Sequence, residues 1–199
     1  MIARSELHWL EEASLFFEKK GPVWDTLRKL VRRLDEARID YVIIGGIALN
    51  AHNYPRQTVD IDLVMTDDGM EEFRRVLGGS SYRQAEGRRN RFVDPDSEVN
   101  IDVLLAGRIA GQRSKNSTVR FPDPSHAEFH DNMRTVSIAK LIELKLVTWR
   151  FKDWGDVVEL IRRNNLPAAF AEQLDSTVRS AFGECHDQAN DEEYEEPTA

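Results

Sequence analysis

The sequence predicts an α+β fold: a small mixed β-sheet flanked by helices, with a C-terminal helical region. Three observations carry this. From Tyr41 to Met65 the chain reads as buried strand, glycine turn, short helix and second strand. Val99 to Leu105 alternates apolar and polar residues, as a half-buried strand does. The last third, from Ser137 on, carries helical spacing.

The 199 residues suit one sizeable domain, or one domain with a helical appendage. The expected division is an N-terminal helix at 1–22, a core at 23–135, a helical region at 136–183 and an acidic, disordered tail at 184–199. A hydrophobic fraction of 41% is globular. No apolar run approaches the ~20 residues of a membrane helix, so no membrane partner is expected. The N-terminus lacks an apolar signal core, which predicts a cytoplasmic protein. The single cysteine, Cys185, excludes an intramolecular disulfide and a cysteine-based zinc cluster. The net charge of −8 is uneven: seven of the 35 acids, and none of the 27 bases, lie in 184–199. The rest is nearly balanced, so the acidic total says little against a polyanionic substrate.

In chain order, Ser5 to Lys20 reads as a helix, with Ser5 as its cap. Gly21-Pro22 stops it, and Pro22 suits the first turn of a second helix over Val23–Ala37. There Leu27, Leu30 and Leu34 form the apolar stripe. Tyr41–Ile44 is a continuous apolar run, as in a strand buried on both faces. After Gly45-Gly46, Ile47–Asn53 makes about two helical turns, and Pro55 disfavours helix at Tyr54. Val59–Met65 is the next strand. Thr66-Asp67-Asp68 caps a helix reaching Leu77. Arg91–Val93 and Val99–Leu105 pair as a hairpin around Asp94-Pro95-Asp96. Residues 106–116 are a loop, and Ser117–Phe121 is an edge strand. Helices follow at Ile138–Trp149, Trp154–Asn164 and Ala168–Phe182, the last closed by Gly183.

Alternate strand residues face opposite ways. Val59, Ile61 and Leu63 turn to a core, and Thr58, Asp60 and Asp62 turn away from it. Val99–Leu105 repeats this, with Asp102 on the polar face. Three carboxylates in one crevice repel one another. A divalent cation removes that repulsion, and magnesium takes oxygen ligands while leaving positions for substrate phosphate. The plainer alternative is a solvated strand face, with Asp102 unrelated. Gly45-Gly46 lets the backbone approach a ligand, and the helix after it offers N–H groups to phosphate. Its plainer alternative is a tight turn.

Val42-Ile43-Ile44-Gly45-Gly46, thirteen residues, Asp60-Ile61-Asp62 and then Ile101-Asp102-Val103 together resemble the nucleotidyltransferase superfamily with the DNA polymerase β-type fold. Arg56, Thr58 and the Asp60–Asp62 pair look like its abortive-infection toxin branch, and also like the aminoglycoside and lincosamide nucleotidyltransferases. Leu141–Leu146 followed by Arg150–Asp156 is similar to helices of the toxin-like branch. The resemblance covers residues 25–165. It implies a nucleotidyltransferase core in which Gly45 and Gly46 hold nucleotide phosphates, with Arg56 and Thr58 beside them. It implies that Asp60, Asp62 and Asp102 bind metal and are the catalytic residues, Asp102 also helping to deprotonate an acceptor hydroxyl. Two Mg2+ ions, or Mn2+ in their place, would be the cofactors and a nucleoside triphosphate the donor.

Lys145 shares a helical face with Leu141, Ile142 and Trp149. Its ammonium either reaches the triphosphate or snorkels from a seam. Lys152-Asp153 reads as a structural pair or a helix start. His52, His126 and His130 show no ligand spacing and read as surface or packing residues. Arg83, Arg88, Arg89 and Arg91 before Asp102, and Arg108, Arg113 and Lys115 after it, favour an RNA acceptor such as a tRNA end, or a protein, over a drug. An antitoxin partner accompanies that expectation. The alternatives are antibiotic modification and a non-catalytic nucleotide-binding module on the same fold.

Overall fold

The computed structural model describes residues 16, 18–111, 117–130 and 133–191. The expected N-terminal helix lies mostly outside them. Helix α1 is Pro22–Glu36, with proline in its first turn. Strand β1, Val42–Ile44, leads into α2, Gly45–Ala51. Strand β2 is Asp60–Met65 and α3 is Asp67–Val76, capped by Thr66, whose hydroxyl accepts from Gly69 N–H at 3.0 Å. Strands β3 (Arg83–Gln84), β4 (Arg91–Val93) and β5 (Asn100–Leu105) follow. Strands β6 (Glu128–His130) and β7 (Met133–Thr135) precede α4 (Ile138–Leu146), α5 (Phe151–Asn164) and α6 (Arg179–Ala189).

The seven strands form one mixed sheet in the order β3-β4-β5-β2-β1-β7-β6. Strand β2 runs antiparallel to β1 and parallel to β5, so it is central. Alternation along β1 and β2 divides the core in two. Ile43, Ile61, Leu63 and Met65 pack with Leu27, Leu30 and Leu34 of α1 and Phe73 of α3. Val42, Ile44 and Val64 face the other way, against Ile142, Val157, Leu160 and Phe182 of the C-terminal helices. Asp60 and Asp62 alternate in step with Val64, so they lie on the side the C-terminal helices cover.

Several sequence expectations need correction. Val59 precedes the strand and is 71% exposed rather than facing the core. Among the described residues, 117–121 contribute only an isolated bridge, Ile109 to Arg120, and no strand. Strands β3, β6 and β7 escape the pattern because each is only two or three residues long and largely polar; β3 and β6 are the sheet edges, and β7 lies between β1 and β6. Strand β7 is recruited by backbone pairing with β1, Val136 N–H donating to Ile43 O at 3.0 Å. The expected helix over 168–182 is instead a 3-10 segment, Ala168–Gln173, then α6. Between them Asp175 accepts from Thr177 N–H and Thr118 Oγ1, an alternative to helical bonding. Gly183 does not stop α6, which continues through 184–189. The first part of the expected tail is therefore helical, and Cys185 is buried. Among the described residues no helix is long and apolar enough to cross a membrane.

Candidate active site

Pairing register builds the site. Ile44, the last residue of β1, lies opposite Asp62, and Asp62 lies opposite Asp102 across the parallel β2–β5 pair. Asp60 sits two residues before Asp62 and therefore on the same face. The structure thus brings together all three sequence-predicted carboxylates, with one oxygen of each within 4.8 Å of the others. Three oxygen donors at that spacing can hold a divalent cation.

Charge makes the same point. Burial pushes the Asp62 carboxyl up to about 7, and the neighbouring Asp60 and Asp102 push the same way. Lys145 and Arg150 oppose them, so both lie close enough to act on Asp62. Asp60 is held by Thr58, whose hydroxyl donates to Oδ1 at 2.6 Å. Asp102 is clamped by Arg91, Nε to Oδ1 at 2.6 Å and Nη2 to Oδ2 at 2.5 Å. That bidentate pair is the strong, directional form of ion pair.

Gly45 has φ +66 as β1 gives way to α2. A side-chain carbon there would overlap the Asp62 carboxylate. One on Gly46 would lie 2.7 Å from Thr58 Oγ1. The two glycines thus let the turn pass directly over the carboxylates. Asn50 fixes the next loop, its amide donating to both Gly46 O and Arg56 O at 3.0 Å.

Lys145 is 7% exposed and its ammonium contacts Asp153 Oδ1 at 3.0 Å and Asp156 Oδ2 at 2.7 Å. Arg56 shares Asp156 at 2.7 Å. Asp153 is bound by Lys145, Arg150 and Thr148, so its structural partners differ from the expected Lys152. The residues missed by sequence reasoning are Asp156 and Arg150 as members of this network, and Arg91 as the clamp on Asp102. Opposed positions on two adjacent strands are the only sequence signal for that clamp, and it requires the register.

A cavity of about 600 Å³ opens beside Asp62 and Asp102, with Arg88, Arg89, Arg91 and Arg108 in its wall. A second, of about 530 Å³, is lined by Tyr54, Arg56, Lys152 and Asp156.

A glycine turn laid over paired strand carboxylates, with a third from the adjacent parallel strand, is the arrangement of a nucleotidyltransferase. Residues 26–141 match the family of aminoglycoside-2''-adenylyltransferases, more than half of the chain, and the protein belongs to that family. Among solved structures, the chain is similar to ANT(2'')-Ia in complex with adenylyl-2''-tobramycin: TM-score 0.53, 18% identity, covering 79% of this chain and 95% of that one. The solution structure of the antibiotic-resistance factor ANT(2'')-Ia gives TM-score 0.52 and 17% identity, covering 81% and 94%. No curated protein sequence matches the chain.

Proposed function

We propose that the protein moves a nucleoside monophosphate from a magnesium-bound nucleoside triphosphate to a hydroxyl of a small acceptor. The convergence of Asp60, Asp62 and Asp102 under the Gly45–Gly46 turn carries this reading. The three carboxylates would hold two Mg2+ ions, or Mn2+, a hard cation matched to oxygen donors. The metal supplies neutralisation of phosphate charge when bound. Gly45 and Gly46 would admit the triphosphate to close backbone approach, and Thr58 keeps Asp60 oriented. Arg56 and Lys152 stand in the wall of the second cavity beside Asp156 and Glu159, where they would meet the donor nucleotide. Lys145, fixed by Asp153 and Asp156, acts on the site through its field at Asp62.

In this reaction the acceptor oxygen attacks the α-phosphorus as the bond to the bridging oxygen breaks and pyrophosphate leaves. Asp102 takes the hydroxyl proton. Positioning and charge stabilisation are the protein's contribution.

Family membership supports a small, antibiotic-like acceptor better than the RNA or protein acceptor expected from the basic loops. The relative of known complex carries an adenylylated tobramycin. One observation favours the RNA reading: four arginines line the cavity beside Asp102, and a polycationic aminoglycoside is repelled there. The test is transfer from each of the four α-labelled nucleoside triphosphates, with magnesium, to tobramycin and to total RNA in parallel. Labelled tobramycin establishes the small-acceptor reading, and labelled RNA with inert tobramycin replaces it. Transfer to neither, with no magnesium-dependent nucleotide binding, removes the proposed function.

A further inference from the structure

On the far strand of the sheet, away from the carboxylates, three residues that are remote in sequence converge. Glu128 and His130 alternate with Phe129 on β6, so they share one face while Phe129 is turned out and 73% exposed. His52 ends α2 and is 6% exposed. Its ring packs edge-on against His130, centroids 4.8 Å apart, and His130 Nε2 lies 3.4 Å from Glu128 Oε2. One ring nitrogen of each histidine and one Glu128 oxygen all fall within 4.8 Å of one another.

We infer that His52, Glu128 and His130 form a second metal site, selective for a transition ion such as Zn2+ and separate from the magnesium site. The donor set decides the class of ion. Imidazole nitrogen suits zinc, nickel, cobalt and copper, whereas Mg2+ prefers an all-oxygen shell. Two histidines and a glutamate leave a fourth tetrahedral position for water.

His52 is prepared for the role. It shares a hydrogen bond between Nε2 and Val136 O at 2.7 Å. With Nε2–H donating, Nδ1 carries the free lone pair, and a ligating histidine ordinarily donates its other ring N–H to a backbone carbonyl in this way. Zn–N bonds of about 2.0–2.1 Å set tetrahedral ligand atoms roughly 3.3 Å apart. The cluster must therefore contract by up to about 1.5 Å, from a spread within 4.8 Å. His130 and Glu128, with side chains 33% and 50% exposed, have the freedom to make that movement while His52 stays fixed. A bound ion would fasten the β6–β7 hairpin to the end of α2, the helix that begins at the glycine turn.

The site is tested by calorimetric titration of metal-stripped protein with Zn2+ in excess magnesium, which occupies the carboxylates. Wild type, His130→Ala, Glu128→Gln and His126→Ala are compared. Wild type and His126→Ala are expected to bind one Zn2+ with equal affinity, and the other two at least tenfold more weakly. Co2+ substitution is expected to give a tetrahedral visible absorption band that vanishes in His130→Ala. Absence of a zinc event in excess magnesium overturns the inference. So does a zinc affinity unchanged in both cluster variants, whatever the folding of either alone.

Discussion

Gly45 and Asp62 occupy adjoining space: the carboxylate of Asp62 stands where a side-chain carbon on residue 45 would go. A backbone at φ +66 and this contact make the same demand, so glycine is required twice over. Gly45→Ala is expected to displace Asp62 and lower transfer by about 100-fold or more, as misplacement by ~1 Å at a reacting centre does. Steady-state kinetics alongside thermal unfolding separate this from simple loss of fold.

The raised pKa of Asp62 gives a pH signature. Its carboxyl titrates at about 7 in the folded protein against 3.8 ordinarily, so the folded state holds the proton more tightly. In metal-free protein this contribution to stability is complete below the unfolded value and is lost as pH rises through about 7. Metal binds the ionised carboxylate. The gain in melting temperature on adding magnesium is therefore expected to grow between about pH 5 and pH 8. Scanning calorimetry with and without magnesium checks it; a gain independent of pH contradicts it.

Arg91 holds both oxygens of Asp102, which a cation would also need. Arg91→Gln removes the competitor and a nearby positive charge together. Magnesium is expected to bind several-fold more tightly to the variant, measured by titration, with the difference shrinking as salt screens the charge.

Asp153 is fully buried and accepts from Lys145, Arg150 and Thr148. Burial alone would raise its pKa, but Lys145 and the hydrogen bonds outweigh burial and lower it. Asp153→Ala leaves Lys145 with Asp156 alone and is expected to destabilise the protein by about 3–5 kcal/mol. Urea unfolding at neutral pH measures this. A change under about 0.5 kcal/mol, the range of ordinary surface substitutions, rules out the structural role.

The face that carries the three carboxylates was legible in sequence because strand alternation is local: the placing of Asp60, Asp62 and Asp102 follows from period two and flanking apolar residues. The caps at Thr66 and Ser137 were equally readable, since each hydroxyl serves an N–H three residues on. What escaped was set by register and tertiary contact. Arg91 meets Asp102 only because β4 pairs with β5 at those positions. Lys145 meets Asp156 through the packing of α4 on α5, eleven residues apart. His52 meets His130 because a polar hairpin with no apolar signature is added to the sheet edge.

The most direct measurement is transfer of α-labelled nucleotide by wild type and Asp62→Asn, each with magnesium and whichever acceptor supports turnover, with nucleotide binding measured in parallel. The expected result is loss of at least a thousandfold in rate for the variant, with nucleotide still bound. Undiminished transfer by Asp62→Asn would contradict the assignment of Asp60, Asp62 and Asp102 as the metal-binding catalytic centre.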